Sequence, residues 1–237
     1  MPRDTVLFDI NETVLDLSPL QSEFETALGD RDLASEWFAT LLHTSAVCAL
    51  TGVKTSFAEL AGLMLDRLAA LNARKLPECE RSAILNAFAR LAPHEDVQPA
   101  LESLRSNGYR TVAFSNSSRD LISKQISDSG LALHFDVVLS VEDSGSFKPD
   151  SKVYGFAATQ LNRQIGDLRL VAAHDWDTHG AMTAGMQAAY LDRNGAPYNP
   201  LFRRPDIEAA TMVSLVEQII AADDAASAET PNSAPIK

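Results

Sequence analysis

Cysteine is nearly missing from this 237-residue chain, with only Cys48 and Cys79 present. A disulfide framework is therefore excluded as the source of stability. Both residues stand in apolar stretches of helical spacing, where they read as small buried hydrophobes of a reducing compartment. Basic residues are in deficit too, 20 Lys and Arg against 32 Asp and Glu, for a formal net charge of −12. Such a chain repels nucleic acid and anionic lipid and offers no basic tract for a phosphate backbone. Also lacking is an apolar run of ~18 residues, which excludes a membrane-spanning helix. The opening MPRDTVLFDI has no signal-peptide apolar stretch, so a cytoplasmic location is expected. Apolar groups run out again at the end, where 223–237 are small and polar with Pro231 and Pro235, and these residues are expected to form a disordered tail.

What is present is a core-forming content of 46% hydrophobic residues, enough to fold without staples. Thr5 to Asp9 is a short β-branched run ending on an acid, the pattern of a buried parallel strand. From 18 to 91 the spacing turns helical, over Leu20–Leu28, Leu33–Leu50, Phe57–Leu71 and about Ile84–Leu91. Strand signals resume at Thr111–Ser115, Val137–Ser140, Leu168–Ala173 and Ala188–Leu191, alternating with helical runs. The predicted fold is α/β: a Rossmann-like doubly wound parallel sheet over 1–17 and 92–222, with a helical cap inserted at 18–91.

Four clusters of chemistry-bearing residues stand at the ends of predicted strands. The first is Asp9 with Asn11 and, four residues after the acid, the hydroxyl of Thr13. The second is Ser115-Asn116-Ser117-Ser118, hydroxyls and an amide opening a helix, where backbone N–H groups attract anions. The third is Lys148-Pro149, followed by Val153-Tyr154 on the helix that Pro149 starts. The fourth is His174-Asp175-Trp176-Asp177-Thr178-His179-Gly180-Ala181, a density of titratable groups that packing alone does not explain. Each cluster on its own also fits an ordinary cap, turn or core role; the order and placement of all four do not. Because the chain is acidic, a small anionic substrate has to be held by local donors.

In this order and placement the clusters resemble the haloacid dehalogenase superfamily, whose motifs carry an aspartate nucleophile, a Ser or Thr, a Lys and a final acid. Within it the chain is most similar to the type II 2-haloacid dehalogenases. Asp9 and Thr13 match their Asp-x-x-x-Thr. Ser115-Asn116, Lys148-Pro149 with Val153-Tyr154, and Trp176-Asp177 with Gly180-Ala181 match the rest. Three positions depart from that pattern: Phe38, not arginine, follows Trp37, and Ala172 and His174 replace Ser and Asn. The phosphatase branch carries a second aspartate where this chain has Asn11, whose amide is neither acid nor base.

The resemblance implies SN2 attack by Asp9 on the halogen-bearing carbon of a short 2-haloalkanoic acid, followed by hydrolysis of the aspartyl ester to a 2-hydroxy acid. Lys148 would keep Asp9 ionised, and Asp177 would orient Lys148. His174, as a neutral imidazole beside Asp177, would help deprotonate the water. Ser115 and Asn116 would hold the substrate carboxylate. Trp37, Phe38 and His43 would line the halide pocket, with Asn11, Tyr154 and Trp176 completing the substrate side. No cofactor or metal is expected on this reading, and a homodimer is suggested by the likeness alone. Two rivals stand beside it. One is a Mg²⁺-dependent phosphatase with Asp9 as nucleophile and Asp175 or Asp177 at the metal; the other is a non-catalytic binding protein on the same fold.

Overall fold

The structure, a computed structural model, describes residues 4–228. The apolar run after Asp4 forms β1 (Thr5–Phe8), fully buried along its length. Four helices follow: α1 (Leu20–Leu28), α2 (Leu33–Thr51), α3 (Phe57–Leu71) and α4 (Glu78–Phe88). They pack on one another through Phe24, Trp37, Phe57, Leu65 and Phe88, all essentially inaccessible to solvent. Next come α5 (Val97–Ser106), β2 (Arg110–Ser115), α6 (Arg119–Asp128), β3 (Val137–Ser140) and α7 (Ser151–Leu161). The chain then runs through β4 (Leu168–Ala172), α8 (Asp175–Ala184), β5 (Gln187–Leu191), β6 (Ile207–Ala209) and α9 (Met212–Ala228).

All six strands are parallel in the order β3-β2-β1-β4-β5-β6. The winding reverses between β1 and β4, and in such sheets the crevice beyond the carboxyl ends at the reversal is where ligands bind. Asp9 and the segment after β4 are both delivered there. Helices α5 and α9 form one pair and α7 and α8 another, so strands buried on both faces read as continuous apolar runs in the sequence. The α/β fold with a parallel sheet and a helical insertion after β1 therefore agrees with expectation. Among the described residues, no helix is long and apolar enough to cross a membrane.

Three expectations are corrected. The fourth helix of the insertion begins at Glu78, six residues before Ile84, and ends at Phe88. Its first turns are polar, and it buries only Ile84 and Phe88, so its start carries no apolar period. The strand β6 went unread because it is three residues long with only Ile207 buried. Residues 223–228 are not a disordered tail but the end of α9. Asp223 is buried there and accepts hydrogen bonds from the Tyr109 hydroxyl (3.1 Å) and from Arg169 (3.5 Å). Alanine-rich sequence has strong helix propensity, and the apolar Ile219, Ile220 and Ala222 pack against the core beside this ionic anchor. The remaining tail residues, 229–237, lie outside the described residues.

Candidate active site

Asp9 prolongs β1 by one ladder bond, its N–H donating to the Val171 carbonyl at 2.9 Å. The chain then folds back tightly, with Val14 and Leu15 both donating to the Ile10 carbonyl. This turn puts Glu12 in the left-handed region at φ +66°, unusual for a residue with a side chain. It also brings the Thr13 hydroxyl back to donate to Asp9 Oδ2 at 2.9 Å while accepting from the Ala173 N–H at 2.9 Å. The β1 loop is thereby tied to the end of β4.

Lys148 reaches Asp9 from the loop before α7, and its side chain is wholly buried. Its Nζ donates to Asp9 Oδ1 (3.1 Å), Asp177 Oδ2 (2.9 Å) and the Phe114 carbonyl (2.9 Å). Burial lowers the Lys148 pKa, but the two carboxylates outweigh it and the ammonium is held above its ordinary range. Burial likewise pushes Asp9 up, and the Lys148 charge with His174 overrides this and holds it well below the usual carboxylate range. Asp9 is thus a buried, ionised carboxylate. Asp177, on the first turn of α8, is fully buried and raised by that burial; its oxygens accept from Lys148 and from the Tyr154 hydroxyl (2.6 Å).

His174 closes the other side. Its Nδ1 lies 3.1 Å from Asp9 Oδ2 and its Nε2 2.6 Å from Glu12 Oε2. With a carboxylate at each ring nitrogen, both nitrogens donate. Burial alone would lower its pKa, but the hydrogen bonds to Asp9 and Glu12 push it up to about 10. The expected neutral imidazole is therefore corrected: in the free protein His174 is an imidazolium and has no lone pair to take a proton from water. Its ring sits between Asp9 and Glu12, while its carbonyl accepts from the Asp177 N–H at 3.2 Å.

The structure brings Asp9, Thr13, Lys148, His174 and Asp177 into one cluster. The other candidates divide. Asn116 lies at the site, its Oδ1 accepting from the Lys148 N–H at 3.0 Å, and its Nδ2 has no hydrogen-bond partner among the described residues. The Ser115 hydroxyl, next to it and fully buried, accepts from the Ser117 N–H. Trp176 and His43 line a cavity of about 320 Å³ with Ala39, Leu42, Ala46 and Lys148, a mostly apolar slot between α2 and the ends of the sheet. The Phe38 ring lies 6.4 Å from that of His174.

Three candidates do not face the site. Trp37 is fully buried between Phe24 and Phe88 and donates its indole N–H to the Ala61 carbonyl (3.0 Å), so it packs the helical insertion. Tyr154 is fully buried with its hydroxyl spent on Asp177, and so positions that acid instead of touching a ligand. Asn11 is locked in a polar network, donating to Ser117 Oγ (3.2 Å) and accepting from Gln125 (3.0 Å), which also donates to the Phe88 carbonyl.

Glu12 and Gln125 were not anticipated, and Ser117, though part of the second cluster, had no role assigned to it. The signal for Glu12 was a second acid three residues after Asp9, but only the left-handed turn aims it at His174. The residues present do not fit a divalent cation: the Lys148 ammonium fills the gap between Asp9 and Asp177, and the Asn11 amide oxygen is taken.

A doubly wound sheet with an acid ending β1, a lysine before α7 and an acid starting α8 defines a class. The chain belongs to the haloacid dehalogenase-like hydrolase family, whose model matches residues 3–171. It is 26% identical over 214 residues to an (S)-2-haloacid dehalogenase of Pseudomonas sp. (strain YL), covering 90% of this chain and 92% of that protein. It is also 26% identical over 220 residues to haloacetate dehalogenase H-2 of Moraxella sp. (strain B), covering 91% and 97%. In fold it is similar to the L-2-haloacid dehalogenase of Xanthobacter autotrophicus with chloropropionic acid covalently bound. That match has a TM-score of 0.85 at 21% identity, over 91% of this chain and 98% of that one.

Proposed function

We propose that the protein hydrolyses the carbon–halogen bond of short 2-haloalkanoic acids. The observation that carries this reading is a buried, ionised Asp9 whose oxygens are held by Lys148, Thr13 and His174, with the Asn11 amide at the position two residues on where a second aspartate would protonate a leaving alcohol. A desolvated carboxylate is a competent SN2 nucleophile, and here the neighbouring cations keep it charged. One Asp9 oxygen attacks C2, the halide departs with the bonding electrons, and an aspartyl ester remains. Water then adds to the Asp9 carboxyl carbon and the ester C–O bond breaks, giving the 2-hydroxy acid and the free carboxylate.

Asn116 Nδ2 and the Ser115 hydroxyl are the donors for the substrate carboxylate, and charge assistance strengthens such bonds. The slot of Ala39, Leu42, His43, Ala46 and Trp176 takes the carbon chain, with the helical insertion serving as a cap that excludes bulk water. The relatives named above, which act on 2-haloacids and haloacetate, support this substrate class.

A metal-free halide-release screen over short 2-chloro and 2-bromo acids tests the reading. Halide release unaffected by EDTA is expected. EDTA-sensitive phosphate release from small esters would favour a phosphatase, and silence in both assays a non-catalytic protein.

A further inference from the structure

The two oxygens of Asp9 are held differently. Oδ2 receives two donors, the Thr13 hydroxyl at 2.9 Å and the His174 Nδ1–H at 3.1 Å, whereas Oδ1 receives only the Lys148 ammonium at 3.1 Å. Both donors on Oδ2 are fixed from behind. The Ala173 N–H donates to the Thr13 oxygen and so turns the hydroxyl proton toward Asp9, and Glu12 Oε2 takes the other ring N–H of His174 at 2.6 Å. The faces of the His174 ring are flanked by Phe38 and Trp176, at 6.4 Å and 5.2 Å between centroids, which leaves the two N–H edges for polar partners. Thr13 is fully buried and His174 nearly so, which keeps bulk water from competing for Oδ2. Oδ1 lies on the side of Lys148, and Lys148 lines the apolar slot with Trp176 and His43.

We propose that Thr13 and His174 form an oxyanion hole around Oδ2, with Oδ1 as the attacking oxygen, and that His174 serves ester hydrolysis as a charged donor instead of a base. The inference rests on the reading of Asp9 as nucleophile. Oδ1, with a single donor and the slot beside it, is the oxygen free to reach C2. Oδ2 then becomes the carbonyl oxygen of the ester, already facing two donors. Donors aimed at the atom where charge develops need no rearrangement when it forms, and in a buried site they act at full strength. Esterification takes the charge off Asp9, but Glu12 remains as the counter-ion of the ring, and an opposite charge at that distance favours the imidazolium. Nδ1 therefore keeps its hydrogen for Oδ2. Glu12 is a positioning residue in this scheme, acting only through His174.

In the second step water adds its oxygen to the Asp9 carboxyl carbon, and the C=O π pair moves onto Oδ2 between Thr13 and His174. When that pair returns, the bond from the carboxyl carbon to Oδ1 breaks. Oδ1 leaves with the bonding electrons as the 2-oxygen of the product and takes one proton of the water. The other proton passes to bulk water as Asp9 ionises again. His174 begins and ends the step as an imidazolium, and Lys148, beside Oδ1, faces the charge that builds on the departing oxygen.

The test is a single turnover of the whole protein on 2-chloropropionate, following halide, hydroxy acid and the mass of the Asp9 peptide together. His174→Ala and Thr13→Val each remove one donor and should slow ester hydrolysis by about 10²–10³-fold, far more than halide release, so that the ester accumulates on Asp9. His174→Asn offers an amide N–H but no base, and should restore ester hydrolysis to within about tenfold of the wild type. Glu12→Gln leaves an acceptor for Nε2 without the counter-charge. It should slow the second step, increasingly so as pH rises and the ring loses its Nδ1 hydrogen. The charged and titratable groups around that ring are Asp9 and Glu12, with the Lys148–Asp177 pair beyond Asp9 and His94 at the Glu12 carbonyl oxygen (3.2 Å). Equal slowing of both steps in His174→Ala and Thr13→Val, or unchanged ester hydrolysis in either, overturns the hole. Hydrolysis as slow in His174→Asn as in His174→Ala, or a second step that quickens with pH in Glu12→Gln, makes the histidine a base and overturns it too. Absence of halide release in the wild type overturns the dehalogenase reading itself, and the hole with it.

Discussion

Asp9 and His174 determine each other's charge, so their protonation is visible in stability as well as in turnover. The His174 pKa is raised on folding to about 10. A raised group contributes stability that is complete below its unfolded value, near 6.5, and is lost as pH climbs through the folded one. Thermal melts should therefore show the melting temperature falling over that alkaline window. Glu12→Gln, which removes one of the two carboxylates, should flatten the fall; equal slopes would contradict an ion-paired histidine. On the acid side, the lowered Asp9 contributes stability above its ordinary carboxylate range and loses it as pH falls through its folded value. Asp9→Asn keeps the shape but not the nucleophile. It should fold, yet lose roughly 10⁴-fold or more of halide release in a steady-state assay. At this scale the reacting cluster was legible because each member ends a strand or opens a helix. The roles of Asn11, Tyr154 and Glu12 were not, because they depend on which way a side chain turns inside a tight loop or a buried helix face.

Helix α2 shows the same difficulty one level up. Trp37 and Phe38 are adjacent in sequence, but a helix turns by about 100° per residue, so they point to different neighbours. Trp37 packs on Phe24 and Phe88 inside the insertion, and Phe38 faces His174. Trp37→Ala should destabilise the protein by about 3–5 kcal/mol, read by denaturant unfolding, while leaving the kcat of the folded fraction unchanged. A selective loss of kcat would return the tryptophan to the substrate site. Helix α9 offers a second check. Its last turns look like tail by composition, and it is docking through Asp223 onto Tyr109 and Arg169 that orders them. Asp223→Ala removes one carboxylate from the buried Arg169, whose Nε already lacks a partner among the described residues while its other nitrogens keep Asp206, Gln187 and the Ala188 carbonyl, and should cost about 1–3 kcal/mol in the same unfolding experiment. Long, strongly periodic elements such as α1 and α3 were readable to the residue. The polar start of α4 and the three-residue β6 carry too little apolar pattern to be seen.

Across the whole molecule, the parallel order β3-β2-β1-β4-β5-β6 is what converts four scattered sequence clusters into one site. It sets β1 beside β4 at the point of reversal, so that Asp9 meets His174 and Asp177 across some 165 residues of chain, with Lys148 brought in between. The helical insertion supplies the apolar wall facing Lys148 and Trp176. The central claim is that this arrangement makes Asp9 a covalent nucleophile, and one measurement addresses it directly: a single turnover in ¹⁸O-labelled water, with mass analysis of both the Asp9 peptide and the 2-hydroxy acid. Water that cleaves an aspartyl ester at its carboxyl carbon leaves its oxygen in the protein, so the account predicts the label in Asp9 and an unlabelled product. Label in the hydroxy acid from that first turnover, with Asp9 unlabelled, would mean that water attacks the substrate itself and would contradict the account.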